Sequence, residues 1–290
     1  MKPWSRLAAV AAAVAIVAAG LAGSAAWAGA GHAPTAVRTA APGPVRADFS
    51  RAPVSAAGAR GACIRRVAGG RRPLLVVLGA SFTAGVGPGA PTRAWSVELA
   101  RALGWRSLVV GASGIGYTHP AGRLGALPRL VDTIGLAHLH PSLVVVQVGH
   151  DDWRTPLAVE ARRVRGFWAA LRRALPASRL ATITVFAPGR RSGPRLRALD
   201  RVIVRSARAA DPALLVMDPA ALGWGFHREH PGGLHPSAGG DRQIAGWVLA
   251  FLRAHGIRPA SPPTTTPPVC DLLPPRRRWS HRRGHLLGPV

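Results

Sequence analysis

Ser81 stands in Gly79-Ala80-Ser81-Phe82-Thr83-Ala84-Gly85-Val86-Gly87, directly after the apolar run Leu74–Leu78, and His235 stands far downstream in Gly232-Gly233-Leu234-His235-Pro236-Ser237. A serine hydroxyl is a weak nucleophile until a neighbouring base takes its proton, and it must be presented on a turn that substrate can reach. The small residues around Ser81 permit a sharp turn at the end of a strand. Two further stretches, Ala112-Ser113-Gly114-Ile115-Gly116-Tyr117 and Gly149-His150-Asp151-Asp152, also follow apolar runs. Nucleophile, base and turns whose N–H groups can face developing negative charge together make the parts of an acyl-transfer site.

These four blocks, in this order, resemble those of the SGNH or GDSL-type esterase and lipase family over about Leu74 to Leu252. The resemblance implies a flavodoxin-like three-layer α/β/α sandwich with a central parallel sheet, and hydrolysis of carboxylic esters through an acyl-serine intermediate. It assigns Ser81 as nucleophile, His235 as base, and an oxyanion hole built from the N–H groups of Ser81 and Gly114 with Asp151 beside them. No cofactor and no metal are implied.

Two departures carry chemical consequences. Where the family has an oxyanion-binding Asn the chain has Asp151, which donates nothing when ionised and adds like-charge repulsion. Burial and the neighbouring Asp152 would raise its pKa, and a protonated Asp151 could donate again. Where the family has the triad carboxylate the chain has Gly232, so His235 must be oriented by a backbone carbonyl, by Glu229 or by another acid. A Ser–His dyad still moves the proton, because the third residue mainly fixes the tautomer. The competing reading is a catalytically weak relative that binds cell-envelope polysaccharide in the same cleft.

The elements that must position these residues alternate. Leu74–Gly79, Leu108–Gly111, Leu143–Gly149, Leu180–Ala187 and Leu214–Asp218 are short apolar runs suited to strands buried on both faces. Helix signals lie between them at Ala94–Leu103, Arg195–Ala210 and Ala238–Ala254. A fourth helix is marked by Leu157, Ala161, Val164, Trp168, Leu171 and Leu175, with arginines on its other face. This alternation predicts a parallel sheet covered on both sides, with Ser81, Gly114 and Asp151 at strand carboxyl ends.

The 290-residue chain reads as one hydrolase domain, 71–256, with extensions. Residues 1–28 form a basic start, an Ala/Val/Leu run and the small-x-small stretch Ala26-Trp27-Ala28, the pattern of a secretory signal peptide; the alternative is an uncleaved anchor. Export places the protein outside the cytoplasm or at the cell envelope. Residues 29–70 read as an Ala/Pro/Gly-rich linker, and 257–290 as a Pro-rich and then Arg-rich tail without structure. In an exported protein Cys63 and Cys270, flanking the domain, can pair as a disulfide; two free thiols are the alternative.

Net charge is +26, or +24 without Lys2 and Arg6 of the leader. Lys2 is the sole lysine among abundant Arg, Ala, Gly and Pro, which points to compositional bias more than to a nucleic-acid ligand. The expected partners are an ester substrate (a lipid, an acetylated glycan or a small ester) and anionic envelope polymers on the basic tail, with the protein a monomer. His227-Arg228-Glu229-His230 lacks the helical His-Glu-x-x-His spacing of hydrolytic zinc sites.

Overall fold

The computed structural model describes Phe49, residues 64–65, 67, 69–87, 91–186, 193–228, 233–260 and 269–271. Six strands, β1 (Leu74–Gly79), β2 (Arg106–Gly111), β3 (Leu143–Gln147), β4 (Arg179–Ile183), β5 (Leu215–Met217) and β6 (Val269–Asp271), form one parallel sheet in the order β5-β4-β3-β1-β2-β6. Among the described residues five complete α-helices accompany them: α1 (Trp95–Leu103), α2 (Leu127–Ile134), α3 (Leu157–Ala174), α4 (Pro194–Ala210) and α5 (Ala238–Ala254).

The period-two geometry of a strand divides the core. Along β1, Leu74, Val76 and Leu78 point to a cluster with Leu130 of α2, Val164 and Trp168 of α3 and Ile203 of α4. Leu75 and Val77 point the other way, to Leu99 and Leu103 of α1 and Ile244 and Val248 of α5. A strand with no polar face is stable only between two such layers, and each of these side chains contributes about 1.5–3 kcal/mol on burial. The result is the three-layer α/β/α sandwich.

Three differences from the sequence expectation are informative. β3 stops at Gln147 instead of Gly149: Gly149 takes φ 118°, and a Cβ there would press on Ile203, so the chain leaves the sheet in a 3-10 turn at His150–Asp152. Helix α2 was not expected. It is short, but Leu127, Leu130, Val131 and Ile134 are all buried on one side. The third difference lies in the segment read as an unstructured tail: Val269–Asp271 pairs with Ser107–Val109 of β2, and Ile257 packs beside α5 in the core. The leader 1–28, nearly all of the linker and most of the Arg-rich tail lie outside the described residues. Among the described residues no helix is long and apolar enough to cross a membrane.

β1 lies between β2 and β3, so successive connections leave it toward opposite edges of the sheet. The crevice beyond the carboxyl ends at such a reversal is where open α/β sheets receive ligands.

Candidate active site

The turn after β1 is fixed by its neighbours. Ala80 N–H donates to Gln147 O (3.0 Å), Ala84 N–H to Ala80 O (2.9 Å) and Val86 N–H to Ser81 O (3.0 Å). Thr83, fully buried, donates its hydroxyl to Gln147 Oε1 (3.1 Å) and accepts at its carbonyl from Ser96 Oγ (3.1 Å). A Cβ at Gly79 would overlap both Thr83 and the Gln147 carbonyl, so this strand end admits only glycine. Ser81 is thereby held at the head of the crevice with 8% of its surface open.

His235 arrives on the loop before α5. That loop is anchored by a bridge between Arg228 and Pro236, and by Ser237, whose N–H and hydroxyl both donate to His227 O (2.8 and 3.0 Å) while Oγ caps α5 by accepting from Gly240 N–H (3.1 Å). His235 Nε2 lies 3.0 Å from Ser81 Oγ. With the imidazole proton on Nδ1 the hydroxyl donates to Nε2, which is the geometry a general base requires. Phe82 flanks the imidazole with ring centroids 5.4 Å apart, and Phe82 itself stacks on Phe186 (5.2 Å) and meets Phe226 edge-on (5.8 Å).

A buried carboxyl fastens this half of the site to α1. The N-cap of α1, Ala94, has no side-chain cap; Asp241 of α5 instead accepts from Trp95 N–H (2.9 Å). Burial raises the Asp241 pKa to about 7, with Glu98 adding to the rise and the Trp95 bond opposing it.

The opposite wall is the loop from Ala112 to His119, pinned on Asp152. This fully buried carboxylate accepts from Tyr117 N–H (2.8 Å), Thr118 N–H (3.0 Å), Thr118 Oγ1 (2.6 Å) and His119 N–H (2.8 Å). A Cβ at Gly116 would overlap the same carboxylate. Beneath it Glu160 of α3 is buried, and burial followed by the charge of Asp152 raises its pKa to about 9; protonated at neutral pH, it hydrogen-bonds to Asp152. Gly114 takes φ 84°, its carbonyl lies 2.6 Å from His119 Nδ1, and Gly116 N–H donates to His119 O (2.9 Å).

Asp151 and His150 occupy the 3-10 turn beside this loop. Burial, then Asp152, raises the Asp151 pKa, against a smaller opposing pull from His119. Burial, then the charge of His235, lowers the His150 pKa, so its imidazole is neutral at pH 7; its buried Nδ1 has no hydrogen-bond partner among the described residues.

The structure therefore brings Ser81 and His235 into contact and gathers Gly114, His119, Asp151 and Asp152 in the segments that follow β2 and β3. Glu229, Gly232 and Cys63 lie outside the described residues, and of Cys270 only the backbone, in β6, is described. Asp152, Glu160 and His119 were not singled out in the sequence. Glu160 left a readable signal, because it lies three residues after Leu157 and four before Val164, on the apolar stripe of α3. His227, weighed as a metal ligand, supplies backbone contacts: its carbonyl serves Ser237, and its N–H donates to Gln243 Oε1 (2.9 Å). Among the described residues no group of three or more His, Cys, Asp or Glu side chains is placed to hold a metal ion.

Residues 77–243, more than half of the chain, match the GDSL-like lipase/acylhydrolase family. Among solved structures the chain is similar to the salicylyl-acyltransferase SsfX3 from a tetracycline biosynthetic pathway (18% identity, TM-score 0.50, covering 67% of this chain and 57% of that one). It is also similar to a family 2 carbohydrate esterase of Corynascus thermopiles (Myceliophthora fergusii) with a carbohydrate-binding domain (17%, TM-score 0.51, 63% of this chain and 67% of that one). A third is a protein of Bacteroides ovatus described as a GDSL-like lipase (15%, TM-score 0.50, 63% and 53%). The chain spans little more than half the length of the first and third, and at these identities the likeness is one of fold. No curated protein matches it in sequence.

Proposed function

Since the chain belongs to the GDSL-like lipase/acylhydrolase family, we propose that it is a carboxylic ester hydrolase that works outside the cytoplasm through an acyl-serine intermediate, with Ser81 as nucleophile and His235 as base. The observation that carries this reading is the 3.0 Å approach of His235 Nε2 to Ser81 Oγ at the strand reversal of the sheet. Ser81 Oγ attacks the ester carbonyl as its proton passes to His235 Nε2, and the N–H groups of Ser81 and Gly114 receive the oxyanion. Collapse of the tetrahedral intermediate breaks the bond to the alcohol, which leaves with the proton from His235. Water, deprotonated by His235, then cleaves the acyl-serine, and the acid departs with Ser81 restored. The substrate is an ester met outside the cytoplasm: a lipid, an acetylated glycan or a small ester.

Labelling by a fluorophosphonate probe, with and without Ser81→Ala, tests this reading. Labelling abolished in the variant, with kcat/KM for a short activated ester reduced at least about 1000-fold in Ser81→Ala, in His235→Ala and in the double variant alike, is the expected result, because the pair acts as a unit. Undiminished labelling of Ser81→Ala sinks it; folded wild type that takes no label leaves the polysaccharide-binding reading. Export belongs to the same proposal and rests on the leader pattern of residues 1–28, as does a Cys63–Cys270 disulfide. Two alkylatable thiols in protein recovered from the growth medium overturn the disulfide.

A further inference from the structure

We propose that His119 is a positioning residue for ester hydrolysis: its imidazole clamps the Gly114 carbonyl and so aims the oxyanion-binding turn. The proposal rests on the reading above, in which the Gly114 N–H receives the oxyanion. A carbonyl oxygen only accepts, so at a separation of 2.6 Å the proton must sit on His119 Nδ1 and point at Gly114 O. The remaining bonds of His119 make the clamp rigid. Its N–H donates to Asp152 Oδ1 (2.8 Å) and its carbonyl accepts from Gly116 N–H (2.9 Å), so one residue grips the turn at Gly114 and Gly116 and fixes both grips to a buried carboxylate.

Gly114 is where such a grip is needed. Its φ of 84° is one that glycine alone adopts freely, no neighbour lies within 4 Å of where a Cβ would be, and among the described residues its N–H donates to no backbone acceptor. A glycine with that freedom would spread its N–H over many directions, whereas preorganised donors stabilise an oxyanion because they need no reorganisation at the moment of reaction. The site also has Asp151 where the family has an amide donor, so hydrolysis depends more heavily on the Gly114 N–H keeping its aim. His119 is solvent-exposed, so replacing it leaves the core untouched.

The test is a series at this one position, read by steady-state kinetics on a short activated ester and by thermal unfolding. In His119→Ala the clamp is lost, and kcat falls about 10- to 100-fold, as small misplacements in active sites do, with KM within about twofold of wild type. His119→Asn places an amide N–H where Nδ1–H was and restores kcat to within about threefold of wild type, while His119→Asp presents only oxygen to the carbonyl and is the slowest of the three. All three unfold within about 2 °C of wild type, as surface substitutions do. Equal kcat in the Ala, Asn and Asp variants, or a loss confined to KM, overturns the clamp. The fluorophosphonate experiment separates the two levels: if labelling depends on Ser81 while the series is flat, the clamp fails and the acyl-serine reading stands. If Ser81→Ala hydrolyses the ester normally, the acyl-serine reading itself has failed.

Discussion

The two walls of the cleft are each fastened by buried acids, and they are fastened in opposite electrostatic states. On the base-bearing wall Asp241 has, among the described residues, one donor, Trp95 N–H, and no partner for its second, buried oxygen, and its pKa rises to about 7. On the wall that carries Gly114, Asp152 has four donors from Tyr117, Thr118 and His119, and it is Glu160 below it that keeps a proton, to about pH 9, and shares it with Asp152. A buried carboxylate is tolerated when backbone N–H groups replace its water, and it is pushed toward the neutral form when they do not. The walls therefore answer differently to pH and to the same substitution.

The widest divergence comes from exchanging each Asp for Asn. Asp152→Asn turns an NH₂ toward backbone N–H groups that need an acceptor, so it destabilises the fold by about 3–5 kcal/mol, the range for breaking a buried charged network, and loosens the turn carrying Gly114. Chemical denaturation of the two proteins measures this. Equal stability would mean that the Ala112–His119 loop is not held by that carboxylate.

Asp241→Asn has the opposite sign. The raised pKa means that the folded state holds its proton more tightly than the unfolded chain, so stability from this group is fully present below about pH 4 and is lost as pH rises through about 7. Asn keeps an acceptor for Trp95 N–H and cannot ionise. The variant should match wild type below about pH 4 and exceed it by up to about 4 kcal/mol at pH 8. A variant less stable than wild type at pH 8 would show that Asp241 is held there as a carboxylate.

The smallest effect sharpens the comparison at the cleft itself. The Asp151 pKa is raised by burial, and among the described residues Asp151 has only a backbone hydrogen bond of its own segment where Asp152 has donors from Tyr117, Thr118 and His119. When ionised it repels an oxyanion, and Asp151→Asn supplies a donor, so kcat should rise about tenfold at pH 8. The advantage should shrink as pH falls through the raised Asp151 pKa, because protonated Asp151 donates as the amide does. A ratio of variant to wild-type rate that is flat with pH, and near one, removes Asp151 from the oxyanion site.

Much of this was legible in the sequence, for physical reasons that also mark where legibility ends. Leu74–Leu78 and Leu143–Val146 are uniformly apolar because both faces are covered, and the interruption of α3's arginines by Val164, Trp168 and Leu171 announces its buried side. Ser81 stood out because a glycine-rich turn after such a run is where an α/β sheet exposes side chains, and His235 because its block resembles the last block of the esterase family. Asp152 did not stand out. Its importance lies in backbone N–H groups some 35 residues earlier, and nothing local in Gly-His-Asp-Asp tells the buried acid from the cleft acid. Helix α2 was hidden by its brevity, and β6 by its surroundings of Pro and Arg, since a three-residue edge strand takes its hydrogen bonds from β2 and needs little sequence pattern of its own.

The separation of Ser81 from His235 along the chain also governs when the two can first meet. The two lie 154 residues apart, and His235 is delivered only when α5, the last helix of the sandwich, docks Ile244, Val248 and Leu252 against β1 and α1. At about 5–20 residues per second a ribosome needs roughly 8–30 s to travel from the nucleophile to the base. Throughout that interval the emerging chain carries a serine without its partner. Under the acyl-serine reading proposed above, a chain cut short before α5 keeps Ser81 but lacks the imidazole that would take its proton, and so should be silent toward esters.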